Sequence, residues 1–241
     1  MARDEIYREE QGMGVSPFVF DEKVVSVFED MIRRSVPGYK LTLTAIAAVA
    51  GREVISNSRV YDLGCSLGAG LRVLAGSLAG TPGVEIIGVD PSEAMLAKAG
   101  ELLADLPMIE LVKGKAGEIP MEKASLIVLN FTLQFVPVEQ REALLKQCFQ
   151  ALRPGGVLLL SEKFVSDDSD KEDWLRELHW QFKRQQGYSE LEIAGKREAL
   201  ENVLLPESQE VHEERLQACG FDKVVRILQC LNFATWVARK K

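Results

Sequence analysis

Cysteine and histidine are scarce in this chain of 241 residues. The four cysteines stand far apart without a CxxC pair, and the two histidines are His179 and His212. A structural zinc site needs about four closely spaced cysteine or histidine ligands, and a disulfide framework needs paired cysteines. We therefore expect no metal site, no disulfide, and a reducing cytoplasm as the location.

Positive charge and long apolar runs are also in short supply. Lysine and arginine number 29 against 36 acidic residues, which gives a formal net charge of −7 and repels a phosphate backbone. No run approaches the roughly 20 apolar residues that a membrane span requires, and residues 1–11 are mostly charged and polar. These features predict no signal peptide, no membrane anchor and no direct contact with nucleic acid.

Short apolar runs alternate with segments of helical spacing along the chain. The runs are bounded by Gly, Pro, Asp or Ser and predict strands at 59–63, 84–89, 109–113, 125–130 and 156–161. Helical spacing occurs between them at 70–79, 92–103 and 138–152. This alternation predicts an α/β fold, in which a parallel sheet is covered by helices on both faces.

The ends of the chain depart from this alternation. Residues 18–36 have an apolar helical face and belong to an expected N-terminal helical cap at 1–55. The charged stretch 162–206 predicts a helical insertion, or lid, and a helix at 208–218 precedes two final strands at 223–230 and 233–238. We expect a single domain over 1–241 with a mostly parallel sheet of seven strands.

A glycine-rich turn follows the first predicted strand. Asp62 lies in the strand, and Gly64 and Gly68 follow at a spacing that does not match the G-x-G-x-x-G of dinucleotide folds. Asp90 follows the second strand, where an acid can accept hydrogen bonds from both ribose hydroxyls; its alternative role is to cap the helix near Ser92. The pattern resembles the first motif of class I S-adenosylmethionine-dependent methyltransferases.

Other side chains have simpler interpretations than a catalytic one. Cys65 has no histidine nearby in sequence, so a small side chain in a tight turn is favoured over a nucleophile. A structural role is likewise favoured for His179. Trp174 and Trp180 fit either a subunit interface or the core of the insertion.

Three segments resemble the carboxy-S-adenosylmethionine synthase family, whose members have the Rossmann-like class I methyltransferase fold. They are DMIRRSVPGY at 30–39, VLNFTLQF at 128–135, and FKR, GYSELEI, KR and LENV within 182–203. The last segment lies in the insertion, where class I enzymes differ most. The resemblance extends from about residue 18 to the C-terminus.

The resemblance implies a reaction and its partners. S-adenosylmethionine and prephenate are converted to carboxy-S-adenosylmethionine and phenylpyruvate, and a separate enzyme uses the product to modify the tRNA wobble uridine. The family forms homodimers. Arg197 matches the family's carboxylate-binding arginine, and its planar guanidinium suits bidentate binding of the new carboxylate.

By the same residue-by-residue match, ten residues are expected to bind the S-adenosyl ligand: Tyr39, Gly64, Cys65, Ser66, Asp90, Pro91, Lys115, Ala116, Asn130 and Arg197. Two of them depart from the family. Lys115 stands where an acid usually accepts from adenine, and lysine only donates, so Glu118 is the alternative acceptor. Pro91 stands where asparagine is frequent, and it removes one backbone donor.

Alternative functions share most of these motifs. A small-molecule methyltransferase would need everything except Arg197, because methyl transfer leaves no carboxylate beside the sulfonium. A non-catalytic S-adenosylmethionine-binding protein is a second alternative, which Lys115 keeps open. Without the family match, Arg197 itself would be taken for a solvated residue on a charged helix.

Overall fold

The computed structural model describes residues 3–7 and 18–241, and its centre is a twisted sheet. The strands are β1 (Arg59–Leu63), β2 (Glu85–Asp90), β3 (Ile109–Lys113), β4 (Ala124–Asn130), β5 (Leu152–Val165), β6 (Glu207–Ser208), β7 (Lys223–Cys230) and β8 (Phe233–Arg239). Their order is β3-β2-β1-β4-β5-β8-β7, with β6 beside the end of β5. The first five of that order run parallel, and β8 pairs antiparallel with β5 and β7.

Eight α-helices accompany the sheet in the described residues. They are α1 (Glu22–Ser35), α2 (Tyr39–Glu53), α3 (Ala69–Leu78), α4 (Glu93–Leu102), α5 (Val138–Ala151), α6 (Ser169–Gln185), α7 (Glu190–Leu200) and α8 (Gln209–Ala218). None of these helices has the length and apolarity needed to span a bilayer. The predicted α/β class, the seven long strands and the helical insertion are confirmed; the two-residue β6 was not predicted.

Each predicted helix and strand is present, with boundaries that differ by a few residues. The helix expected at 18–36 begins only at Glu22, because the Asp21 side chain caps it by accepting from the Val24 N–H at 3.0 Å. Helix α2 had no predicted bounds of its own within the N-terminal cap. Residues 1–2 and 8–17, which are 12 of the 55 residues of that cap and include part of the charged segment 1–11, lie outside the described residues.

Strand β5 extends well beyond the predicted 156–161. At its start Leu152 pairs with Ala124, and a bulge containing Gly155 separates this pair from the regular register. At its end β5 continues past the last residue of β4 because β8 and β6 supply new partners, so that Lys163 pairs with Phe233 and Phe164 with Glu207. Neighbouring strands, which sequence periodicity does not show, therefore set the length of β5.

Two apolar clusters cover the two faces of the sheet. One contains buried side chains of α5 and α8, such as Leu144 and Leu216, against Ile127 and Leu158. The other contains α2, α3 and α4 against alternate residues of the same strands, including Val128. A strand covered on both faces is apolar throughout, which explains why these strands appear in the sequence as continuous apolar runs.

Arg141 connects the end of the insertion to the rest of the fold. This residue of α5 is fully buried; its guanidinium donates to the carbonyl oxygens of Val136 at 2.9 Å and Leu205 at 2.8 Å and forms an ion pair with Glu207. A buried charge is tolerated only when it is paired and hydrogen-bonded in this way. Arg141 therefore holds the returning chain at 205–207 against the start of α5.

Replacing Arg141 with methionine should lower the free energy of unfolding by about 2–4 kcal/mol, since the carbonyl groups of Val136 and Leu205 lose their donor and Glu207 keeps only its ion pair with Arg215. Lys146→Ala is the matched control, because Lys146 lies on the same helix in an exposed ion pair with Glu142. We expect this control to leave denaturant unfolding nearly unchanged. Equal midpoint shifts for the two variants would contradict the structural role of Arg141.

Candidate functional site

A cavity of about 370 Å³ opens at the carboxyl ends of β1 and β4. Its walls come from α1, the start of α2, the turn between β1 and α3, and the end of α4. Ligands in open α/β sheets bind at this edge because loops diverge there. Five of the predicted site residues line the cavity: Tyr39, Gly64, Cys65, Ser66 and Asn130.

The turn after β1 depends on glycine for two physical reasons. Gly64 and Gly68 both have φ of +81°, a conformation that side chains disfavour. A Cβ on Gly64 would also lie 2.4 Å from the Thr132 hydroxyl oxygen. The backbone of this turn can therefore approach a bound molecule closely.

Asp90 ties this turn to the next loop. One carboxylate oxygen accepts from the Ser66 N–H at 2.9 Å, and the other accepts from the Ser92 N–H at 2.9 Å. The cap of α4 is Ser92, whose hydroxyl accepts from the Met95 N–H, so the capping alternative for Asp90 is wrong. Carboxylate oxygens have further lone pairs, and ribose binding by Asp90 stays a prediction.

The cavity has a negative floor. Asp62 is buried there, and burial together with the nearby Asp90 raises the pKa of its carboxyl group to about 7. Burial, followed by the charges of Asp62 and Glu29, also raises the pKa of Tyr39, so its hydroxyl stays protonated. Asp62 has no basic side chain as an ion-pair partner among the described residues, so a cation that enters the cavity would favour its ionised form.

Two further lining residues show different chemistry. Burial and the carboxylates of Asp62 and Asp90 raise the pKa of Cys65, which disfavours the thiolate and agrees with the interpretation of Cys65 as a small turn residue. Asn130 ends β4 with its side-chain oxygen buried and without a hydrogen-bond partner in residues 3–7 and 18–241. The Asn130 side-chain oxygen could therefore accept a hydrogen bond from a bound ligand.

The other predicted site residues do not line the cavity. Pro91 is exposed directly after β2, and Lys115 is exposed beside Glu118, with 3.7 Å between its ammonium and that carboxylate. Ala116 packs against the core at the same loop. Arg197 is exposed on α7, with its guanidinium 5.7 Å from the centre of the Trp180 ring. Their roles stay predictions.

The sequence predicted an N-terminal helical cap and Tyr39 within it, but not the other side chains of α1 and α2 that line the cavity. Phe28 and Glu29 of α1 and Leu43 of α2 line the cavity. The signal for α2 was available, since Pro37 and Gly38 end one helix and a run free of Gly and Pro follows. The sequence does not show that these helices contact the turn after β1, because that contact depends on packing between segments distant in sequence.

The sequence and the structure both have known relatives. Residues 60–156 match the family described as "Methyltransferase domain". Human N-acetylserotonin methyltransferase superposes with a TM-score of 0.60 at 14% identity, covering 91% of this chain and 55% of that one. An O-methyltransferase family 2 protein from Planctomyces limnophilus superposes with a TM-score of 0.63 at 18% identity, covering 92% and 62%. The chain therefore has the class I methyltransferase fold.

Relatives with higher sequence identity identify the family within this fold. A carboxy-S-adenosyl-L-methionine synthase from Shewanella sp. (strain MR-7) is 48% identical over 229 residues, which are 94% of this chain and 94% of the relative. One from Aeromonas salmonicida is 49% identical over 227 residues, covering 92% and 91%. The chain belongs to the carboxy-S-adenosyl-L-methionine synthase family.

Replacing Gly70 with alanine tests the fit between α3 and the acidic floor. A Cβ at Gly70 would lie 2.5 Å from an Asp62 carboxylate oxygen, so the side chain of Asp62 must move. We expect the affinity for S-adenosylmethionine, measured by titration calorimetry, to fall by about tenfold or more, equivalent to ~1.4 kcal/mol.

Gly76 provides the control, because it lies in the same helix with nothing within 4 Å of an added Cβ. Gly76→Ala should keep the affinity and stabilise the fold by about 0.5–1 kcal/mol, since alanine is the better helix former. Unchanged affinity in the Gly70 variant would contradict the placement of Asp62 at the ligand site.

Proposed function

We propose that this protein converts S-adenosylmethionine and prephenate to carboxy-S-adenosylmethionine, phenylpyruvate and water. The observation that carries the proposal is the relationship to carboxy-S-adenosyl-L-methionine synthases, at 48% identity over 94% of both chains. It includes the insertion with α6 and α7, where an ordinary methyltransferase has no reason to be similar. S-adenosylmethionine is a substrate in this reaction, which leaves a carboxylated sulfonium as product.

The cavity suits a ligand with a sulfonium and an ammonium group. Asp62 supplies a buried negative charge, and a nearby cation favours its ionised form. Asn130 offers a buried acceptor, and the turn at Gly64 lets backbone groups reach the ligand. Asp90 has lone pairs left for ribose hydroxyls after its two backbone hydrogen bonds.

The chemical steps balance without a protein nucleophile. The carbon–carbon bond to the ring carboxylate of prephenate breaks, and its electron pair aromatises the ring and expels hydroxide. That hydroxide takes one proton from the sulfonium methyl group and leaves as water. The resulting ylide carbon forms a new bond to the released carbon dioxide. Asp62 and the cavity wall hold the methyl carbon in place, which is the main contribution a protein makes to such a step.

Arg197 is proposed to bind the new carboxylate. Its guanidinium has no ion pair in the described residues, and it lies on α7 of the insertion, which we propose acts as a lid. Arg176 lies at the same ring, with its guanidinium 5.6 Å from the Trp180 centre, but it is paired with Asp173. Both arginines thus lie beside Trp180, but among the described residues only Arg176 has an ion-pair partner, so the guanidinium of Arg197 is the one free to bind a carboxylate.

The biological setting follows from the same proposal. The product would supply a separate enzyme that modifies the tRNA wobble uridine, and the net charge of −7 supports a protein that does not itself bind tRNA.

We place the protein in the cytoplasm as one S-adenosylmethionine-binding domain that forms a homodimer. Trp174, which is 65% exposed, supports an interface on the insertion, and light scattering of the purified protein would measure the assembly.

The role of Asp62 predicts a pH dependence of binding. Because the pKa of its carboxyl group is raised to about 7, lowering the pH from 8 to 6 protonates it and removes the negative charge. The affinity for cationic S-adenosylmethionine should fall by about tenfold over this range. In Asp62→Asn the affinity should be low at both pH 8 and pH 6, and any remaining change with pH is due to titration of the ligand. An equal change of affinity with pH in wild type and variant would contradict the role of Asp62.

The identity of the bound product tests the reaction and Arg197 together. We expect mass spectrometry of the small molecule released from denatured wild-type protein to find carboxy-S-adenosylmethionine. Arg197→Ala should release mainly S-adenosylmethionine, since the carboxylate has lost its partner, whereas Arg176→Ala should behave as wild type. Only S-adenosylmethionine or S-adenosylhomocysteine in wild type, even after prephenate is supplied, would favour an ordinary methyltransferase.

A further inference from the structure

Three lysine side chains gather between the insertion and the sheet, behind the wall of the cavity. Lys163 is at the end of β5, Lys183 is on α6, and Lys196 is on α7. Lys183 is within electrostatic reach of both other ammonium groups. Like charges repel, so such a cluster is stable only where anions lie nearby or where an ammonium group loses its proton.

Only one of the three has an anionic partner in contact. The Lys196 ammonium lies 2.5 Å from an Asp4 carboxylate oxygen and also contacts the hydroxyl groups of Ser35 and Tyr188. Its charge is therefore matched inside the protein. Asp4 also accepts from the Tyr188 hydroxyl, and it attracts Lys183 only at a distance, without an ion pair.

Lys163 and Lys183 have no side-chain hydrogen bond or ion pair with any other described residue. Glu172 attracts Lys163, but a Glu172 oxygen is already taken by the Ser166 N–H at 2.9 Å, and Arg176 repels it. Burial, then Lys196 and Lys163, lower the pKa of Lys183 to about 7. Both lysine side chains keep part of their surface accessible, so a ligand can reach them.

A row of rings leads from the cavity to these lysines. Tyr39, which lines the cavity, lies 6.4 Å from Phe131 between ring centres; Phe131 lies 5.9 Å from Phe233, and Phe233 lies 5.0 Å from His179. Phe233 is the direct strand partner of Lys163, and His179 precedes Lys183 by one helical turn. The row therefore ends between the two unpaired ammonium groups.

Strand register places Lys163 on the cavity side of the sheet. Side chains alternate along a strand, so Lys163 shares a face with Ser161. Ser161 pairs with Asn130, whose side chain faces the cavity, and both belong to the face covered by α2 and α3. Lys163 and the sulfonium cavity are thus on the same side of the sheet.

The geometry points to Lys163 and Lys183 as the binding site for the 2-oxo-acid carboxylate of the carboxyl donor, with its six-membered ring against Phe131 and Phe233. This inference rests on the proposed function, since it assigns the second substrate of that reaction. The donor has two carboxylates: one is lost as carbon dioxide near the sulfonium, and the other is retained in the product. Two lysines at the far end of an aromatic row suit the retained group.

Binding of phenylpyruvate, which keeps that carboxylate, tests the inference without relying on catalysis. We expect Lys163→Met and Lys183→Met each to weaken phenylpyruvate binding, measured by calorimetry with the protein saturated with S-adenosylhomocysteine, by about tenfold or more. Affinity for S-adenosylmethionine should stay within about twofold. Lys171→Met is the matched control, because Lys171 is an exposed residue of the same α6 and should leave both affinities unchanged.

Stability and steady-state kinetics separate this role from a structural one. Removing an unpaired, partly buried charge should leave the thermal unfolding midpoint unchanged or higher, whereas a lysine that supports the fold would lower it. If Lys183→Met does not fold, Lys183→Arg keeps the charge and should keep phenylpyruvate affinity. For prephenate the variants should raise KM more than they lower kcat, since the lysines contact no reacting atom.

The outcomes distinguish this inference from the proposed function. Unchanged phenylpyruvate affinity and prephenate KM in both methionine variants, while wild type makes the carboxylated product, would overturn the lysine site alone. A wild-type protein that binds phenylpyruvate but makes no carboxylated product would overturn the proposed function. Weaker phenylpyruvate binding in the lysine variants, together with product formation in wild type, supports both.

Discussion

The site depends on one buried carboxylate, that of Asp90. Its two oxygens hold the N–H groups of Ser66 and Ser92, and so fix the loops that follow β1 and β2 at one edge of the sheet. Gly64 and Cys65 strengthen the same junction by donating to the Val89 carbonyl oxygen at 2.7 and 3.0 Å. Every cavity residue of the turn is positioned by this junction, which explains why an acid at the end of β2 matters to the fold before any ligand is bound.

Charge is distributed unevenly around the cavity. Asp62 makes its floor acidic, with the Asp90 carboxylate nearby, and this suits a sulfonium; Lys163 and Lys183 lie on the insertion side with no carboxylate in contact among the described residues. A positively charged substrate and a negatively charged one would thus be directed to opposite ends of one aromatic row. An enzyme that must join carbon atoms from two substrates gains from such separation, because it orients both before reaction.

Much of this arrangement could be predicted from the sequence, for identifiable reasons. Buried parallel strands are mostly apolar, so β4 and the middle of β5 stand out, and the glycines after β1 mark the turn because glycine adopts positive φ angles most readily. The chemistry of the insertion came from resemblance, since nothing in the periodicity of a charged helix distinguishes Arg197 from Arg176.

What the sequence did not show depends on contacts between distant segments. Lys163 and Lys183 are 20 positions apart and looked like ordinary residues of a strand end and a charged helix. Their lack of partners appears only once Asp4 is seen to be engaged by Lys196. The same applies to Arg141, whose burial follows from the return of the chain at Leu205 and Glu207.

The central claim is that the sulfonium methyl carbon acquires a carboxyl group instead of leaving as a methyl group. Nuclear magnetic resonance of S-adenosylmethionine labelled with ¹³C in that methyl group, incubated with the protein and prephenate, tests it directly. The account predicts that the methyl signal is replaced by that of a methylene carbon still attached to sulfur. A labelled methyl group found on another molecule, together with S-adenosylhomocysteine, would contradict the account.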